Sequence, residues 1–221
     1  MAANRPTVTL CMVMTMDGHV ASPNNQTPSF SSREDRDHLF KLKAASDLLI
    51  TGAGTVRKEG LQPLIRSDKW KQWRIENGFQ SQHPDVLIVS RSGRLPLTSR
   101  YFGCHQTFHI ASYTKNNQAL PHHIHWHTFK KSQTLKDVLH AFHQRGYRQM
   151  LLEGGPVLAH SFLELNLIDE IYLTLSGITF GGRRKPGIAR GSFFQKAKRF
   201  AVNSVQHTDS DVFIHYVNSE R

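Results

Sequence analysis

The sequence predicts an α/β fold: a mixed, mainly parallel sheet flanked by helices and finished by an antiparallel C-terminal hairpin. Three observations predict it. Strand-like and helix-like segments alternate from end to end of the 221 residues. Two of the strand-like runs end in glycine-rich turns that feed helices, Thr51-Gly52-Ala53-Gly54-Thr55 and Leu152-Glu153-Gly154-Gly155-Pro156. The last stretch changes character, because Arg199–Gln206 and Val212–Val217 alternate around His207-Thr208-Asp209-Ser210-Asp211.

Each element has a local reason. Thr7–Met14 is β-branched and apolar and reads as a buried strand. Ser32 caps a helix whose first turn holds Glu34 and Asp35, and helical spacing continues through Leu39 and Leu42 to Ala45. Asp47–Thr51 and Asp85–Ser90 are short buried strands, while Thr107–Ala111 and Ile124–Phe129 are weaker ones. Thr134–Gly146 has a Thr cap and a Gly stop, as a helix should. Arg148–Leu152 is a strand, followed by a helix to about Leu165, and Ile168–Leu175 is a strand again. Glu59–Gln82 fits least well. It is polar and rich in Trp, Arg and Lys, and reads as a long excursion that is functional or mobile. No repeat, low-complexity segment or Pro/Gly/Ser linker divides the chain, so a single domain over residues 1–221 is expected.

Composition narrows the functional classes. No apolar run approaches the roughly 20 residues that span a bilayer, and Met1–Leu10 lacks a signal-peptide pattern, so a cytoplasmic protein without membrane association is expected. Cys11 and Cys104 are too few for a disulfide framework or a four-thiolate zinc site, and Cys11 reads as a buried inert thiol. The net charge of +11 attracts anions of any kind. The basic residues are dispersed, with small clusters at Lys69–Arg74, Arg183–Lys185 and Lys196–Arg199, which favours a solvated surface over nucleic-acid binding. His122, His123, His125 and His127 look like a metal tract, but His125 and His127 alternate with Ile124 and Trp126 as one polar face of a strand, and no metal site is expected.

In an open α/β sheet, ligands bind beyond the carboxyl ends of the strands. Glycine turns there let backbone N–H groups approach an anion, and a following helix N-terminus adds partial positive charge. Two such turns suit a dinucleotide, although neither carries the Gly-x-Gly-x-x-Gly fingerprint of a standard dinucleotide fold. Glu153 is the telling residue, since a carboxylate at a strand end is costly to bury without a partner. Pointing into the crevice it serves as proton mover or substrate anchor; pointing away it caps the next helix. Met16-Asp17-Gly18 ends the first strand with a second acid, which is either a further candidate catalytic group or ordinary turn chemistry.

Taken in order, these segments resemble a known family. Thr15-Met16-Asp17-Gly18-His19-Val20-Ala21, Ser46-Asp47-Leu48-Leu49-Ile50-Thr51-Gly52-Ala53-Gly54-Thr55-Val56, Val89–Pro96, Glu153-Gly154-Gly155 through Leu167-Ile168-Asp169-Glu170, and Thr179-Phe180-Gly181-Gly182 are similar to the motifs of the riboflavin-biosynthesis reductase domain, which has the dihydrofolate-reductase-like fold. The resemblance runs from about residue 7 to 217. It implies an NADPH-dependent reductase that delivers hydride to C1′ of a phosphoribosylamino-pyrimidine, and a homodimer.

Carried over position by position, it implies cofactor contacts at Ser29, Thr55, Glu59, Ser90, Arg91, Gly154, Gly155, Pro156, Val157 and Leu158. It implies substrate contacts at Thr27, Lys43, Pro63, Arg66 and Glu153, with Arg66 on the 5′-phosphate. Asp17 and Glu153 remain the candidate catalytic acids. The departures fall on the substrate side: a frequent Trp near Ser29 is missing, Lys43 replaces an Arg, and Glu59-Gly60-Leu61-Gln62-Pro63 lacks the usual proline place. A reductase of the same fold with another small substrate, or a dinucleotide-binding protein without catalysis, therefore stays open. Dihydrofolate reductase proper uses an acid in the helix after the first strand region, where Glu34 and Asp35 stand. The deaminase domain of bifunctional members brings Cys-x-x-Cys ligands that this chain lacks, so reduction alone is expected.

Overall fold

The computed structural model describes residues 5–22, 31–59, 61–182 and 187–220. The chain forms two compact units, Met1–Thr7 with Phe40–Gly155 and Val8–Leu39 with Pro156–Arg221.

The first unit is built on parallel strands. Its order is β5 (Ile124–Thr128), β4 (Phe108–Ser112), β3 (Asp85–Ser90), β2 (Leu48–Gly52), β6 (Gln149–Leu152). The Asp47 carboxylate sets the β2–β6 register by accepting from the Arg148 and Gln149 amides at 2.7 and 2.8 Å. One face of the sheet is apolar. Val86, Ile88, Phe108, Ile110 and Ile124 pack there with Ala53 and Val56 of helix α2 (Ala53–Glu59) and with Tyr101 and Phe102. Each fully buried side chain of this size contributes about 1.5–3 kcal/mol.

The opposite face carries the histidines. His109 Nδ1 meets His127 Nε2 at 3.1 Å, and His109 Nε2 meets the Tyr147 hydroxyl at 2.9 Å. That hydroxyl donates to Asp85 at 2.6 Å, and Phe142 of α4 (Leu135–His143) packs edge-on against the His109 ring. The expected polar strand face is thus a hydrogen-bonded row. Burial pushes His109 down to about 3 and His127 to about 4, with Arg145 and the neighbouring histidines adding to the effect. His83, whose Nδ1 accepts from the Ile65 amide, falls to about 4, chiefly through burial.

These rings are neutral in the fold and take up protons first in the unfolded chain. Their contribution is therefore complete above the unfolded value of about 6.5 and drains away as pH falls below it. The urea midpoint is expected to be lower at pH 5 than at pH 7.5, and His109→Gln should flatten that dependence. An unchanged midpoint would refute it.

The excursion Glu59–Gln82 contains a helix that the reading as an irregular excursion does not include. This is α3 (Asp68–Glu76), steadied by Lys71–Asp68 at 2.7 Å and Gln72–Glu76 at 3.0 Å. Trp70 and Ile65 bury against Ala44 at the end of α1 (Arg33–Ala44). Periodicity alone misses this helix, because its second buried position is Arg74 instead of an apolar residue. The Arg74 guanidinium lies 4.0 Å over the Phe79 ring. Its Nη1 donates to the carbonyls of Ala44 and Ser46 at 2.8 and 2.6 Å and to that of Lys43 at 3.3 Å. It supplies the donor for the Ala44 and Ser46 carbonyls at the end of α1 and a second one for that of Lys43, which also accepts from the Ser46 amide at 3.2 Å. Helix α4 keeps its predicted cap: Thr134 and Asp137 form a capping box.

In the second unit, β7 (Glu170–Ser176) runs parallel to β1 (Thr7–Thr15) and antiparallel to β9 (Asp211–Asn218), and β8 (Phe200–His207) forms the edge. The C-terminal hairpin forms as the alternation predicts. Cys11 is half-buried on β1, which corrects the buried thiol expected from its apolar neighbours. At the start of α1 the Asp35 carboxylate accepts the Ser31 hydroxyl, and the Asp35 amide donates to Ser32 Oγ at 3.0 Å. Asp35 is spent on capping. No helix among the described residues is long and apolar enough to cross a membrane.

Candidate active site

Beyond their carboxyl ends, β3, β2 and β6 present three adjacent bends. β2 lies between the other two, and the Glu153 amide donates to the Ile50 carbonyl at 3.0 Å, which holds the β6 bend beside that of β2. The two glycine turns accordingly sit side by side. A methyl group on Gly155 would come 3.4 Å from Thr55 Oγ1, so the absence of a side chain keeps the space between the bends open. Gly154 is buried and Gly54 is exposed with nothing near it, leaving backbone approachable at the mouth.

Glu153 has a partner. Lys43, on the last turn of α1 and almost fully buried, places its Nζ 3.1 Å from Glu153 Oε2. Glu153 Oε1 is buried and has no hydrogen-bond partner among the described residues. An ammonium engages one carboxylate oxygen where a guanidinium fork would take two, so Lys43 compensates the charge and leaves one acceptor free. The arrangement offers a bound molecule an N–H acceptor beside a positive charge. Capping of the next helix is thereby the poorer description of Glu153.

The β3 bend is basic and shaped by serines. Ser90 Oγ accepts from the Gly93 amide at 3.1 Å, and Gly93, at φ +66°, packs so closely on Trp126 that a Cβ would lie 2.7 Å from the ring. Arg91 and Arg94 are exposed on this bend, and Arg57 donates to the Arg94 carbonyl at 2.8 Å. Sequence reasoning picks out Ser90 and Arg91 but misses Arg94 and Arg57. The signal was the Ser-Gly pair, which promises a tight turn.

Asp17, in the second unit, is committed locally. Its carboxylate accepts from the Thr15 hydroxyl at 2.6 Å and from the amides of Gly181 and Phe180 at 2.7 and 3.2 Å, and His19 Nε2 lies 3.5 Å away. The Thr15 hydrogen bond, joined by the two amides and His19, holds it down to about 2. An acid so placed has no proton to give near neutral pH. The geometry makes it an anchor for the loop through Gly181 and Gly182, where glycine supplies φ of +70° and +88°.

Other expected positions divide. Thr55, Ser90, Arg91, Gly154, Gly155 and Glu153 lie at or just beyond the first unit's strand ends, and Lys43 joins them from the last turn of α1 through its ion pair with Glu153. Pro156, Val157 and Leu158 open α5 (Pro156–Glu164) in the second unit, with Val157 exposed. Pro63 is buried and its carbonyl accepts from Gln106 at 3.5 Å, which spends it on the scaffold. Arg66 is exposed, with no hydrogen-bond or ion-pair partner among the described residues. Thr27 and Ser29 lie outside the described residues, and Glu59 ends α2 with a side chain that also lies outside them.

The sequence model of the family described as the RibD C-terminal domain matches residues 6–214. The 2,5-diamino-6-ribosylamino-4(3H)-pyrimidinone 5′-phosphate reductase of Archaeoglobus fulgidus is 26% identical over 204 residues, covering 88% of this chain and 91% of that protein. Among solved structures, Acinetobacter baumannii RibD superposes with a TM-score of 0.80 at 24% identity, covering 99% of this chain and 60% of that one. A pyrimidine reductase-like protein of Corynebacterium diphtheriae gives 0.77 at 19% identity, covering 97% and 92%. At such identities the structural likeness establishes the shared fold.

Proposed function

We propose, from the premise that the chain belongs to the RibD C-terminal domain family, that it is a riboflavin-pathway reductase that uses NADPH to reduce a 5-phosphoribosylamino-pyrimidine to its ribitylamino form. The observation that carries this reading is the Lys43–Glu153 pair beside two adjacent glycine bends, with Glu153 Oε1 buried and unclaimed. An orphaned buried acceptor is costly unless a ligand completes it.

The residues fit a phosphorylated nicotinamide carrier. Backbone at Gly154 and Gly155 and the side chain of Thr55 would hold it, and the exposed guanidinium groups of Arg91 and Arg94 suit a ribose 2′-phosphate. When bound, NADPH supplies the hydride that C1′ of the ring-opened ribosylamine receives. Glu153 Oε1 accepts an N–H of the pyrimidine and fixes its plane, and Lys43 balances the charge. Asp17 keeps the loop through Gly181 in place. The main contribution of the chain is orientation. A homodimer also belongs to this reading, supported by the edge strand β8, which exposes Val202 and Val205. Light scattering during size exclusion tests it.

The deciding assay follows NADPH absorbance with the 2,5-diamino pyrimidinone phosphate and with its deaminated counterpart. Oxidation with either supports the proposal. Binding of NADPH with neither substrate turned over would favour a different small substrate, which the Lys43 and Pro63 departures favour as the second reading. Absence of NADPH binding would end both. Replacing Arg91 and Arg94 together with Ala is expected to raise KM for NADPH about 10-fold and leave NADH unchanged, since a guanidinium recognises the 2′-phosphate that NADH lacks. Equal effects on the two cofactors would contradict that assignment.

A further inference from the structure

Residues 61–67, between α2 and α3, form neither helix nor strand, yet side chains from two other segments hold their backbone. The Ile65 amide donates to His83 Nδ1 at 3.1 Å. Gln106, almost fully buried, donates from Nε2 to the Pro63 carbonyl at 3.5 Å and to the Pro84 carbonyl at 2.8 Å. One glutamine thus joins the Pro63 and Pro84 backbones, and the histidine next to Pro84 takes the amide two residues past Pro63. His83 is itself placed. Its amide donates to Ser81 Oγ at 3.2 Å, and the Ser81 carbonyl accepts from Arg74 Nε at 3.0 Å. All of these residues belong to the first unit.

An exposed irregular segment can give its amides to water, so two side-chain ties from elsewhere in the fold fix more than a connection needs. Only a neutral imidazole offers a lone pair at Nδ1, with the proton on Nε2. Burial favours that neutral form, and Lys71, Arg74 and Lys43, which face the ring from α3 and α1, act in the same direction. What the ties set is the seat of Ile65. Its side chain is fully buried in one cluster with Ala44 and Trp70, and Ala44 follows Lys43 in the last turn of α1. Lys43 meets Glu153 through a single ammonium contact at 3.1 Å. A guanidinium fork would lock its own orientation on a carboxylate, whereas an ammonium on a flexible stem does not. The pair therefore depends on how the backbone at the end of α1 is held, and the packing of Ile65 is part of that hold.

We propose that His83 and Gln106 are positioning residues for the Lys43–Glu153 pair: by tying Ile65 and Pro63 to neighbouring segments they seat Ile65 on the end of α1 and so set the reach of Lys43 to Glu153. This rests on the reading of Glu153 as the group that receives the pyrimidine. Neither residue touches a ligand in this role.

The test compares steady-state kinetics of the wild type, His83→Leu, His83→Asn and Gln106→Met, with NADPH and whichever pyrimidine phosphate the wild type reduces. Each protein is checked as folded by circular dichroism at the assay temperature. His83→Leu keeps bulk and removes the acceptor, and is expected to raise KM for the pyrimidine about 10-fold, with kcat and the KM for NADPH within about 2-fold of the wild type. Asparagine offers Oδ1 where Nδ1 stands, so His83→Asn should recover most of that loss. Hydrogen exchange at the Ile65 amide, read by NMR, should be slow in the wild type and His83→Asn and fast in His83→Leu. Gln106→Met removes both donors, should raise the same KM, and decides the matter if His83→Leu does not fold. A folded His83→Leu or Gln106→Met with the wild-type pyrimidine KM overturns the proposal. So does an equal rise in the KM of both substrates, or a His83→Asn no better than His83→Leu. A wild type that reduces neither pyrimidine phosphate overturns the reading of Glu153 instead, while the Ile65 exchange comparison still shows whether His83 holds the segment, which separates the two failures.

Discussion

Replacing Glu153 with Gln is expected to lower kcat/KM for the pyrimidine about 100-fold, with NADPH affinity within about 2-fold of the wild type. The amide keeps the shape of the side chain but removes its charge and half of its acceptor capacity. Lys43 is then a buried ammonium whose only ion-pair partner among the described residues has gone. Such a break costs stability as well, about 3–5 kcal/mol in the buried limit and less here, because Glu153 is partly exposed. The double variant Lys43→Met with Glu153→Gln separates the two effects. Removing both charges should restore most of the urea stability while leaving activity low. Activity that returned with stability would show that the pair is scaffold, and the substrate-anchoring role of Glu153 would fall.

The second large effect is expected away from the chemistry. Arg74→Ala strands the carbonyls of Ala44 and Ser46 and takes a second donor from that of Lys43, in a region closed by Trp70 and Ile65, and should cost about 3 kcal/mol or more in urea unfolding. Burial lowers the Arg74 guanidinium to about 10, so it stays charged at neutral pH and its hydrogen bonds are charge-assisted. The end of α1 carries Lys43, so the loss should also appear as a raised KM for the pyrimidine. Arg74→Lys should recover less than half of the stability, because one ammonium cannot span three carbonyls and stack on Phe79 as well. A stability change below about 1 kcal/mol would refute the capping role.

Both results concern the same few residues, and they mark where the sequence was legible. The strands were readable because apolar runs such as Leu48–Gly52 and Asp85–Ser90 are buried on both faces, a state that needs no tertiary detail to recognise. The hairpin was readable from alternation and its turn, and α4 from its Thr134 cap. Helix α3 was not. Its buried face depends on Arg74, and an arginine counts as polar until the carbonyls it satisfies are known. Asp17 was ambiguous for a related reason, since its ligands include the amides of Phe180 and Gly181, more than 160 residues away.

By itself, then, the sequence determined the order and type of most elements and the two glycine bends, and its ordered motifs pointed to the family. These follow from local dihedral freedom and from periodic burial, which each segment carries alone. Tertiary structure alone decided that the Glu153 charge is met by Lys43 on one oxygen and that Asp17 is occupied as an anchor. Charge compensation and hydrogen-bond satisfaction are properties of pairs, and the partners here are set by which strand ends and loops the fold brings within about 3 Å of each other.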